Sequence, residues 1–173
     1  MLPVGRCQFD TYKPRVEPAA PGARHSSIIA DPDSLRSPNL ERYMSYYIGK
    51  TISKDFDAAV ADVTAKLKEQ GFGVLTDIDV QATFKSKLGA DTPKYRILGA
   101  CNPRLAFEAL GIEARLGVLL PCNVIVRETP DHRVEVAGID PVVTMERTGN
   151  PALRAKAEQV RELLSAAISR VGE

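Results

Sequence analysis

At 173 residues, with 44% apolar and 26% charged side chains, the chain is long enough for one sizeable core and too short for two typical domains. Its 23 Lys and Arg against 22 Asp and Glu leave a net charge of +1, which excludes binding to nucleic acid or to an anionic membrane through a basic field alone. No apolar run approaches the roughly 20 residues of a membrane helix. The N-terminus lacks a basic start followed by an apolar core, so the expected compartment is the cytosol, with the three cysteines as thiols.

Residues 1–43 are set apart by Pro3, Pro14, Pro18, Pro21, Pro32 and Pro38 among scattered charges, with no sustained period. Such a stretch buries too little apolar surface to offset the cost of ordering it, and a disordered extension is expected. The competing expectation is that the stretch is not native and that Met44 is the true start. Residues 44–173 are expected to form a single α+β domain.

Tyr46–Ile52 has strand character, with Tyr46, Ile48 and Ile52 on one face. Ser53 or Asp55 then caps a helix whose Phe56, Ala59, Val60, Val63 and Leu67 recur at helical spacing, and Gly71 stops it. Phe72–Val80 reads as a second strand, with Phe72, Val74, Ile78 and Val80 on one side and Asp77 and Asp79 on the other. Gln81–Leu88 fits a short helix closed by Gly89.

Lys94–Ala100 is the third strand. Asn102 is suited to cap the helix that follows, and Pro103 to be its first residue, where a missing N–H has no partner to lose. Residues 112–121 are ambiguous between a helical turn and a strand. Cys122–Glu128 and Arg133–Ala137 flank a turn at Thr129–His132. Asn150-Pro151 repeats the cap-plus-proline device, and Leu153, Ala157, Val160, Leu164, Ile168 and Val171 stripe the last helix. The order β-α-β-α-β-α-β-β-α predicts an α+β fold: a mostly antiparallel five-stranded sheet with helices packed on one face.

The candidate chemistry lies at a Cys-Asn pair that occurs twice, as Cys101-Asn102 and Cys122-Asn123, each beside a proline where an apolar run ends or begins. A thiol just ahead of a helix start feels the positive end of the helix dipole, which favours thiolate. Two such thiols brought together would cycle as a dithiol or hold a soft metal. The plainer reading makes each a small buried hydrophobe and makes Asn102 a helix cap. Asp77, Asp79, Lys85 and Arg96 are the polar complement: carboxylates two apart on a strand share a face and, with a basic partner, would bind a small polar ligand or work as acid and base. Their plainer reading is a solvated face with weak ion pairs.

With only His25 and His132, no histidine-built metal site or hydrolase is expected, and no phosphate-binding glycine loop is present. No metal is assigned, and the sequence names no cofactor.

The strings Gly71–Thr76 with Asp79-Val80 and Lys85, Tyr95–Pro103 and Gly117–Val124 closely resemble the domain of unknown function 302 family, over essentially Met44–Gly172. The resemblance implies a small α+β domain, often a homodimer, of bacterial or archaeal cytosolic type, and it carries no established activity. It also implies a histidine two residues before the Ala-Leu of the third helix. This chain has Phe107 there, so a metal or haem held through that histidine would lack its ligand.

Two functions are therefore expected. The first is a dimeric binding or interaction module, its partner a second copy and its pocket lined by the two Cys-Asn motifs with room for a small ligand. The alternative is a thiol-based redox or sulfur-handling protein using Cys101 and Cys122. Neither involves nucleic acid or a membrane.

Overall fold

The computed structural model describes residues 45–173, and the expectations for residues 1–43 lie outside the described residues. Five strands form one antiparallel sheet in the order β1-β5-β4-β3-β2, with β1 at Tyr47–Ile52, β2 at Gly73–Asp79, β3 at Tyr95–Cys101, β4 at Cys122–Glu128 and β5 at Val134–Ile139. Because every neighbouring pair is antiparallel, β3 and β5 run one way and β1, β2 and β4 the other. The ends of β3 and β5 and the starts of β1, β2 and β4 therefore meet at one edge of the sheet.

The helices are α1 at Phe56–Glu69, α2 at Val80–Leu88, α3 at Pro103–Ile112, α4 at Pro141–Glu146 and α5 at Arg154–Ser169. Asp55, not Ser53, caps α1: its carboxylate accepts from the N–H groups of Asp57 at 3.0 Å and Ala58 at 3.1 Å. The helical spacing seen in the sequence puts Phe56, Ala59, Val63 and Leu67 inward on α1, and Val160, Leu164 and Ile168 inward on α5. Both helices close over Leu98, Ala100, Val124, Val126, Val134 and Val136 of the central strands. Gly138 lets α5 come close, since a Cβ there would lie 2.8 Å from Ile168 Cδ1. Full burial of a leucine such as Leu164 stabilises the fold by about 1.5–3 kcal/mol.

Three features depart from the sequence reading. A bulge between Val74 and Thr76 breaks the alternation of β2. One extra residue swaps the faces beyond it, so Ile78 is exposed, and Asp77 pairs in register with buried Leu98. The ambiguous 112–121 stretch contains a 3-10 helix at Ala114–Leu119. The short helix α4 falls where no helix is expected, started by Asp140, whose carboxylate accepts from Val142 N–H at 2.9 Å. It helps build a second apolar cluster of Ala109, Leu116, Met145, Leu153 and Ala157. No helix among the described residues is long and apolar enough to cross a membrane.

Candidate functional site

The antiparallel register brings the two Cys-Asn motifs side by side. Cys101 closes β3 and Cys122 opens β4, with Ala100 opposite Cys122 and Gly99 opposite Asn123. Strand alternation assigns Cys122 to the face covered by α1 and α5, where it joins the core, and Asn123 to the other face, where it is exposed. Gly99 is required here: a Cβ on it would press into Thr76 Oγ1 and come within 2.8 Å of Pro121 Cγ.

Asn102 caps α3, its Oδ1 accepting from Leu105 N–H at 3.3 Å. Beneath the motifs lies a hollow of only ≈ 20 Å³, lined among others by Cys101, Asn102, Leu105, Cys122, Met145 and Val160. That volume is on the scale of one water molecule. Asn123 is not among its lining residues. Lys156 is, held in an ion pair with Glu108 that the sequence pattern does not reveal.

Burial works against the acidic thiol that the redox alternative needs. It pushes the Cys101 thiol up, and it raises Cys122 to about 11, with the neighbouring Cys101 adding to the effect. The polar complement is elsewhere. Arg96 sits five residues from Cys101, roughly 17 Å along an extended strand. Its guanidinium grips Asp77 with Nε–Oδ1 at 2.7 Å and reaches Asp79 Oδ2 at 3.5 Å. Asp79 also caps α2, accepting from Ala82 N–H at 2.8 Å. Lys85 pairs with Asp91 at 2.6 Å on the exposed side of α2. The structure thus brings Cys101, Asn102 and Cys122 to one hollow with Asn123 turned to the other face beside them, separately unites Asp77, Asp79 and Arg96, and leaves Lys85 apart from both.

Phe107, at the position of the implied histidine, is 81% exposed. Among the described residues no group of three or more His, Cys, Asp or Glu side chains is placed to hold a metal ion.

No curated protein matches the chain. Among solved structures it is similar to an uncharacterized conserved DUF302 protein from Bacillus stearothermophilus, known from a crystal structure. The identity is 25% and the TM-score 0.70, with 74% of this chain and 99% of that chain covered. The profile of the domain of unknown function DUF302 matches residues 48–171, and the chain belongs to that family.

Proposed function

We propose that the chain is a binding and interaction module that pairs with a second copy through the sheet face opposite α1 and α5. The observation that carries this reading is the composition of that face. Tyr47, Tyr95, Ile97, Ile125 and Ala137 share it by register, and Arg127 and Glu135 neutralise each other within it. Tyr47 is 42% exposed, and the two isoleucines are only partly covered. A neutral apolar face of this kind marks an interaction surface, and a two-fold axis matches it to itself. The Cys-Asn corner then serves as the packed joint where β3 and β4 meet α3, at one edge of the paired face.

The test is sedimentation velocity on the full chain at tens of micromolar. A dimer is expected, and Ile125→Lys, which places a charge on the face, is expected to give a folded monomer with an unchanged far-ultraviolet circular dichroism spectrum. A parent protein that sediments as a monomer overturns the reading, as does an Ile125→Lys variant that remains dimeric.

A further inference from the structure

The hollow at the Cys-Asn corner holds ≈ 20 Å³, whereas a cleft between α4 and the start of α5 holds ≈ 380 Å³. The second figure is within the range of small-molecule sites; the first is not. Val142, Met145 and Ala157 line the cleft with apolar surface, and Met145 and Ala157 belong to the buried second cluster, which fixes that side. The polar lining is of two kinds. Glu146 closes α4 and carries a carboxylate; Arg154 opens α5 and carries a guanidinium. Both are exposed, and Arg154 pairs with Glu158 on its own helix at 3.0 Å rather than with Glu146. Asn150 lies between them, its amide already engaged with Ala152 N–H and Glu113.

We propose that this cleft binds a small zwitterion with an apolar side chain, a ligand of the amino-acid class. The ligand carboxylate meets the Arg154 guanidinium, whose planar fork suits it. The positive end of the α5 dipole favours the same sign. The ligand ammonium meets Glu146, and the apolar side chain covers Val142, Met145 and Ala157. An apolar floor between two opposite charges selects against a plain acid, a plain amine and a strongly polar amino acid alike. The site is separate from the paired sheet face, so its fate is independent of the oligomeric state.

Titration of the full-length ¹⁵N-labelled protein with L-leucine tests it by amide shifts. Saturable shifts confined to residues 141–158 are expected in the millimolar range, with isovalerate and isoamylamine, which lack one charge each, binding more weakly. Arg154→Met and Glu146→Gln are each expected to weaken L-leucine about fivefold, because both side chains are exposed and their contacts are partly screened. Neither should change the melting temperature appreciably, since the Arg154–Glu158 pair is exposed and worth little. Absence of saturable shifts at these residues overturns the proposal. So does equal binding by both singly charged analogues, or parental affinity in both variants.

Discussion

The thiols provide the sharpest test of how the Cys-Asn corner behaves. Burial and the neighbouring Cys101 raise Cys122 from the ordinary thiol value of 9.0 to about 11. The thiolate is the nucleophile, so at pH 8 a shift of two units cuts its population about a hundredfold. A Cys7→Ser, Cys101→Ser variant leaves Cys122 as the one thiol. Its reaction with a disulfide reagent at pH 8 is expected to be many-fold slower than that of free cysteine, because burial, the larger cause of the shift, remains when Cys101 is replaced, and to become fast in guanidinium chloride. The companion Cys7→Ser, Cys122→Ser variant is expected to react faster than this, because Cys101 is less buried, yet still more slowly than free cysteine. The same shift makes a statement about stability. Folding disfavours the thiolate, so the folded state keeps its proton to higher pH than the unfolded chain does. The stabilisation is full below about pH 9 and is lost as the pH rises through about 11, by roughly 3 kcal/mol for two units. Urea melts should therefore show the parent losing stability more steeply than Cys122→Ala across that window. A Cys122 that reacts like free cysteine in the folded protein at pH 8 refutes the argument and restores the thiol-based alternative.

Two further predictions concern the frame around that corner. Gly99→Ala forces a methyl group against Thr76 Oγ1 and Pro121 Cγ, and is expected to cost about 1–3 kcal/mol in urea unfolding. A neutral outcome would show that this contact gives way freely. Asp55→Ala removes the acceptor for two backbone N–H groups at the start of α1 and is expected to cost about 1 kcal/mol, whereas Asp55→Asn keeps an oxygen in place and should recover much of it.

What the sequence disclosed about the fold follows from how strongly each signal was written. The stripe from Leu153 to Val171 spans the long helix α5, with one marked position beyond each of its ends, and every one of its six marked positions is buried. Such a repeated pattern admits no other packing. The β2 pattern is equally regular in the sequence and still misleads, because the bulge at Leu75 is set by pairing with β3 and leaves no trace in local alternation. Nor does periodicity reveal α4: Pro141–Glu146 is too short to repeat an apolar stripe. The signal available was Asp140-Pro141, the same cap-plus-proline device that marks α3 at Asn102-Pro103 and the turn at Asn150-Pro151.

The site was legible in the opposite sense: its parts were visible and its purpose was not. The repeated Cys-Asn pair marks two chain segments that the sheet does bring together, their cysteines separated by 20 intervening residues and adjacent across β3 and β4. Yet the residues that make the corner recognisable are spent on holding it. Asn102 ends a helix, Cys122 fills core, and Gly99 makes room for Thr76 and Pro121. Arg96, Asp77 and Asp79 are likewise spent on one another. Charges that satisfy each other at close range within a chain have little left to offer a ligand; Glu146 and Arg154, which no motif singles out, face a hollow of ligand size without bridging it, and the pair Arg154 makes with Glu158 is exposed and worth little. A distinctive motif reports where the chain is most constrained. Binding requires surface that folding has left uncommitted, and in this chain the two lie at the same end of the sheet but in different hollows.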